Sequence, residues 1–134
     1  MMAGLGDFPV AGVIRADDYA RAAKFYTEVL GFTVLRAPQG PGDAGMFAAG
    51  AGTLVSIYEG PGMPAPQNTT LAFGIPPERF DDVIADLKSK GVVFEEYDMP
   101  EIWLKTVGGV AEMLGTKAAW FKDTGGNILN VVAM

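Results

Sequence analysis

The chain has 134 residues, 49% hydrophobic and 19% charged, which suits one packed domain able to bury a core without staples. It contains no cysteine, which excludes disulfides, thiolate metal sites and a cysteine nucleophile, and no histidine, the commonest transition-metal ligand and general base near neutral pH. Its net charge of −6, with ten scattered Lys and Arg residues, argues against a nucleic-acid partner.

In chain order, a strand is expected over residues 10–15. A helix follows Asp17-Asp18, which supply N-cap carboxylates, and carries Tyr19, Ala22, Ala23, Tyr26, Val29 and Leu30 at helical spacing until Gly31 stops it. Three strands, 32–36, 45–49 and 53–59, come next. Residues 60–68 hold three of the nine prolines and read as a stiff connector. A strand at 69–75 then leads into a helix opened by Pro76-Pro77. Phe80, Val83, Ile84 and Leu87 form its apolar stripe, Asp81, Asp82, Asp86, Lys88 and Lys90 its wet side, and Gly91 its end. Strands at 92–97, 117–122 and 127–133 complete the chain, with residues 99–115 read as an inserted loop.

The order strand–helix–strand–strand–strand thus occurs twice. Gly31 and Gly91, 60 residues apart, each lead straight into a strand. The pattern implies two similar modules, about residues 8–60 and 68–134, forming one α+β domain. The N-terminal residues 1–7 show no charged segment leading into an apolar one, and no apolar run has the length to cross a bilayer. No signal peptide and no membrane partner are expected, and the cytoplasm is the default location.

Two motifs carry a family resemblance. Asp18-x-x-Arg21-Ala22-x-x-Phe25-Tyr26-x-x-x-Leu30-Gly31-Phe32 resembles the first-helix signature of the vicinal-oxygen-chelate superfamily, which includes glyoxalase I, extradiol dioxygenases, fosfomycin-resistance enzymes and bleomycin-binding proteins. Ala119-Trp120-Phe121-Lys122-Asp123-Thr124-Gly125-Gly126-Asn127 resembles its last hairpin, with Thr124 in place of the usual proline. The resemblance implies two βαβββ modules with open, curled mixed sheets around a cavity and helices on the outer faces. It also implies a homodimer.

Metal-dependent members of that superfamily hold a divalent ion with four side chains, usually His or Glu. The resemblance places those positions at Ala11, Ser56, Thr70 and Asn130. Three neutral oxygens and one methyl group form a poor set for a transition metal, and a hard cation needs more oxygens and carboxylates. Glu59, the nearest carboxylate, alternates away from Ser56. No metal and no cofactor are therefore expected.

By alternation Ala11, Val13 and Arg15 share one face of the first strand. Leu54, Ser56 and Tyr58, then Thr70, Ala72 and Gly74, and then Ala118, Trp120, Ile128, Asn130 and Val132 line the corresponding faces. Apolar walls with sparse neutral polar groups suit a small molecule. Arg15 could hold a carboxylate or phosphate by its fork, or could instead reach solvent or pair with Asp17 or Asp18. Trp120 offers a flat wall, or ordinary core packing. Trp103, in the loop expected over the pocket mouth, offers a contact there, an anchor for the loop or a dimer contact. Tyr97 and Asp98 could reach the rim. Glu95, Glu96, Asp98 and Glu101 read as solvated charges.

The ligand-binding set read from the sequence is therefore Arg15, Ser56, Tyr58, Thr70, Trp103, Trp120 and Asn130. The function expected is metal-independent binding of a small, partly aromatic or amphipathic molecule, with the acidic balance favouring a cation at long range. Two alternatives stay open: a lyase, isomerase or dioxygenase of the glyoxalase type, and a structural or regulatory dimer module with a vestigial cavity.

Overall fold

The computed structural model describes residues 4–113 and 115–134. Residues 1–3 of the N-terminal segment read above, and Leu114 of the inserted segment, lie outside the described residues. The chain divides into two compact units, one ending at Pro61 and one beginning at Gly62. The fold class is α+β, with one mixed sheet and one main helix in each unit, and neither sheet closes into a barrel.

In the first unit β1 (Gly12–Ala16) leads to α1 (Tyr19–Lys24), then β2 (Thr33–Arg36), β3 (Ala44–Ala48) and β4 (Leu54–Glu59). The sheet order is β1-β4-β3-β2, with β1 parallel to β4 and the other pairs antiparallel. Two carboxylates satisfy the free amides that open α1: Asp18 accepts from Arg21 N and Glu59 accepts from Tyr19 N, each at 3.0 Å. Glu59 therefore serves the helix. The helical run continues past Lys24 as a wider π turn over Phe25–Val29, where the Thr27 hydroxyl donates back to the Ala23 carbonyl at 2.8 Å.

Period-two alternation sorts this sheet. Ile14, Ala16, Phe47, Val55 and Ile57 are buried together with Ala22 and Tyr26 of the helical segment. Tyr26 is sealed between Phe25 and Phe32, both in edge-on contact. Gly45 leaves room for the outer end of the Tyr19 ring, whose hydroxyl lies where a Cβ would project, so a larger residue there would make that ring shift.

The second unit holds β5 (Thr69–Ile75), α2 (Phe80–Ser89), β6 (Asp98–Met99), β7 (Leu104–Val107), β8 (Val110–Met113), β9 (Thr116–Lys122) and β10 (Ile128–Ala133). Its order is β5-β10-β9-β8-β7-β6, with β5 parallel to β10. Phe80, Ile84 and Leu87 of α2 are buried, as are Ala119, Phe121, Leu129 and Val131 on one face of β9 and β10. The hairpin between those strands is fixed by the Asp123 carboxylate, which accepts from Gly125 N and Asn127 N at 2.9 Å each, so the turn forms without the usual proline.

Two expectations need correction. Residues 99–115 do not form a loop: their described residues build β6, β7 and β8 around the turn Gly108-Gly109. Residues 92–97 alternate as a strand should, with Val92 and Phe94 buried and Val93 exposed, yet they form no strand and meet the sheet through a bridge from Phe94 to Phe121 and a backbone hydrogen bond from Thr106 N to the Tyr97 carbonyl. The two corrections have one cause. β8 occupies the edge of β9 from Thr116 to Ala119, leaving only its far end for the 92–97 segment.

The Gly108-Gly109 turn gives a clean test. Both residues sit at positive φ, but a Cβ on Gly109 would lie 2.6 Å from Phe94 Cβ, whereas one on Gly108 would meet nothing within 4 Å. Gly109→Ala is expected to destabilise the protein by about 2–4 kcal/mol in chemical denaturation, from overpacking added to left-handed strain. Gly108→Ala should cost only about 1 kcal/mol.

Candidate functional site

The open face of the second sheet carries a pocket of about 250 Å³. Trp120 of β9, Ile128 of β10 and Leu104 of β7 line it, with Met99 of β6 and the Tyr97 ring beside them. Gln67, Asn68 and Thr69, where the connector enters β5, add the polar rim. Tyr97 and Trp120 meet edge to face, with ring centroids 5.7 Å apart and planes inclined at 75°.

The position of Trp120 follows from its neighbours. Ala119 and Phe121 face the buried side, so alternation turns the indole to the open side, directly across from Asn130. Tyr97 belongs to no strand and is held by a different device. Its N–H donates to the Thr106 hydroxyl at 2.7 Å, and its carbonyl accepts from Thr106 N at 2.9 Å and from that hydroxyl at 3.3 Å. Two residues earlier, Glu95 N donates to the Trp120 carbonyl at 2.8 Å. The two rings are thus anchored through the backbones that carry them.

Burial raises the pKa of the Tyr97 phenol above its ordinary value, and the negative charge of Glu95 adds to the rise while Lys122 opposes it. The phenol is therefore uncharged through the neutral range. Glu95 and Lys122 themselves form an ion pair at 3.4 Å.

Of the ligand-binding set read from the sequence, Trp120 alone lines this pocket; Tyr97, expected near the rim, and Ile128, expected on the same strand face, line it too. Asn130 is buried behind it, and its amide nitrogen donates to the carbonyls of Ala119 at 3.0 Å and Val131 at 3.3 Å. Thr70 sits at a register shift: Ile128 opposes Thr69 and Leu129 opposes Leu71, so Thr70 is the extra residue. Its hydroxyl is enclosed and makes no hydrogen bond among the described residues. Trp103 is 85% exposed at the end of a short 3-10 turn, outside the pocket lining.

Arg15, Ser56 and Tyr58 belong to the first unit and share the open face of its sheet, with Arg15 opposite Tyr58. The Arg15 guanidinium is buried and engaged: Nη1 donates to the Asp17 carboxylate and to the Gly60 carbonyl at 3.2 Å. Ser56 lies between Val13 on β1 and Met46 on β3.

The positions the superfamily resemblance assigns to a metal do not fit one. Ala11 offers no donor, and Ser56, Thr70 and Asn130 offer at most one neutral oxygen each, with no imidazole, thiolate or carboxylate among them. Among the described residues no three His, Cys, Asp or Glu side chains cluster as a metal site.

A second groove of about 520 Å³ opens on the opposite face of the same sheet, beside Asp81 of α2. Lys105, Glu112 and Lys117 line it with Val107 and Val110, and Lys117 already pairs with Asp81 at 3.3 Å. Its charged groups lie on an exposed sheet face, where such pairs contribute little.

Gln67, Asn68, Thr69, Met99 and Leu104 were not singled out in the sequence. For Leu104 the signal was present: Leu104-Lys105-Thr106-Val107-Gly108-Gly109-Val110 is an alternating strand entering a Gly-Gly turn. The register shift that brings Thr69 to the pocket leaves no such mark.

If Thr106 positions Tyr97, then Thr106→Val, which keeps the shape but removes the acceptor for Tyr97 N–H, should destabilise the protein by about 1–3 kcal/mol. It should also change Trp120 emission in the Trp103→Phe background. Thr106→Ser should restore both, as followed by denaturation and fluorescence.

Comparison with known proteins places this geometry in context. The sequence profile of the Glyoxalase/Bleomycin resistance protein/Dioxygenase superfamily matches residues 9–131. Among solved structures, the integron cassette protein HFX_CASS4 from the mobile metagenome of Halifax Harbour sewage outfall shares 16% identity over 95% of this chain and 100% of that chain, with a TM-score of 0.69. The fosfomycin resistance protein FosX from Listeria monocytogenes shares 18% over 100% of this chain and 93% of that chain, at a TM-score of 0.69. A variant of that protein has been solved in complex with Mn(II) and 1S,2S-dihydroxypropylphosphonic acid. A glyoxalase/dioxygenase from Nostoc punctiforme shares 15% over 99% of this chain and 95% of that chain, at a TM-score of 0.68. No curated protein matches the sequence. Identities this low carry the fold alone, and the profile match carries the family: the chain belongs to the Glyoxalase/Bleomycin resistance protein/Dioxygenase superfamily.

Proposed function

We propose that this protein binds a small, partly aromatic or amphipathic molecule in the pocket beside Trp120, without a metal ion. The observation that carries the reading is the pairing of Tyr97 and Trp120 over a largely apolar lining that contains no charged side chain. Apolar walls with a few orienting polar groups are the usual make-up of a small-molecule site. The donor set at the superfamily's metal positions supports metal independence. The phosphonic acid bound to the Listeria protein would find no counter-charge in this pocket. A homodimer and a cytoplasmic location belong to the same reading. The superfamily resemblance supports the first, and the absence of any helix long and apolar enough to cross a membrane, among the described residues, is consistent with the second.

Three outcomes test the reading. Protein purified without chelator should contain no stoichiometric Zn, Ni, Mn or Fe by elemental analysis, and EDTA treatment should leave ligand-induced Trp120 fluorescence changes intact. One tightly held ion per subunit on which binding depends would overturn it. Trp120→Ala should weaken any ligand found by about ten-fold or more, the size expected for losing an aromatic anchor, as measured by calorimetry. Because the Tyr97 pKa is raised, its neutral form persists beyond the ordinary tyrosine range, so affinity for an uncharged ligand should stay flat from roughly pH 6 to 9. A fall within that window would show that another group controls binding.

A further inference from the structure

We infer that the ligand class selected by this pocket is an uncharged, flat ring of one or two cycles carrying an amide-like edge that both donates and accepts hydrogen bonds. The inference rests on the binding reading above and adds to it the chemistry of the ligand.

Charge is the first determinant. No Lys, Arg, Asp or Glu lines the pocket, so a charged ligand would exchange water for thioether, indole and aliphatic surface with no ion to meet it. The charges that act on the Tyr97 hydroxyl are Glu95 and Lys122, which pair with each other at 3.4 Å and act in opposite directions. Neither leaves an uncompensated field for a ligand ion. The net charge of −6 acts at long range on encounter, and salt screens it; contact selectivity is decided by the lining.

Shape is the second. The volume of about 250 Å³ lies below the roughly 300–1,000 Å³ usual for drug-sized ligands, which limits the occupant to a small ring system. The Tyr97 and Trp120 rings stand at 75° to each other, so a flat ligand can stack on one and present its edge to the other.

The rim supplies the third. Gln67 and Asn68 are consecutive side-chain amides followed by the Thr69 hydroxyl. Asn68 gives one N–H to the Thr69 carbonyl at 3.3 Å, which leaves its carbonyl oxygen to accept, while the Gln67 amide makes no hydrogen bond among the described residues. Such amides recognise a neutral donor–acceptor edge, and neither can neutralise an ion.

Three probes of one shape separate the possibilities: benzamide, benzoate and benzamidinium, which at neutral pH are neutral, anionic and cationic. Trp103→Phe protein, in which Trp120 is the remaining indole, would be titrated with each by fluorescence and by amide-shift NMR. Benzamide should bind at least ten-fold more tightly than either ion. Benzoate or benzamidinium binding as tightly as benzamide would overturn the ligand class and leave the binding reading standing. No response of Trp120 to any of the three, nor to a panel of uncharged one- and two-ring aromatics, would overturn both. Gln67→Glu, at an exposed position, should bring benzamidinium to within three-fold of benzamide or better. An unchanged ranking in that variant would overturn the role given to the rim amide.

Discussion

Leu129 on β10 and Phe121 on β9 sit directly opposite each other and are sealed from solvent, and the rest of the second unit depends on that pairing. Burying each side chain contributes about 1.5–3 kcal/mol. A slip of one residue would expose both and drive Trp120 into the core, so the register is strongly specified. With that face committed, alternation leaves Trp120 and Ile128 on the other. The same rule sorts the first unit, where Ile14, Val55, Ile57 and Phe47 are buried and Val13, Ser56 and Tyr58 take the open side. Each open sheet face is thus a by-product of core formation, and its chemistry depends on what stands at alternate positions.

In the pocket of the second sheet what stands there is neutral, and on the first sheet Arg15 is already paired. Asp18 and Glu59 satisfy the amides that open α1, Asp123 fixes the β9–β10 turn, Asp17 pairs with Arg15, and Glu95 pairs with Lys122. Carboxylates that a superfamily scaffold could aim at a metal or a substrate proton are engaged in holding backbone or answering a cation. Without histidine or cysteine, nothing remains at the superfamily's metal positions to act as a strong ligand or a base. The same fold hosts many activities because these few positions vary independently of the core.

The segment from Glu95 to Val110 shows how a local addition remodels a site. The β7–β8 hairpin pairs along β9 and takes the edge that residues 92–97 would otherwise use. Displaced from the ladder, that segment hangs by its backbone from Trp120 and Thr106, and this delivers the Tyr97 ring to the face of Trp120. Glu96 closes the arrangement by accepting from Gly109 N at the hairpin turn.

By itself the sequence determined the two helices, the strand–helix opening of each unit, the turn at Asp123–Asn127, and the lack of any histidine or cysteine. These depend on local periodicity, caps and residue types, which a linear reading contains. The tertiary structure alone decided that Arg15 turns to Asp17 and Gly60, that Trp103 stands in solvent, and that Thr69 reaches the pocket in place of Thr70. It alone brought Gln67 and Asn68 to the same rim as Tyr97. Each of these depends on which strand edges are already taken and where a ladder skips a residue, and such competition for backbone partners is settled between segments far apart in the chain.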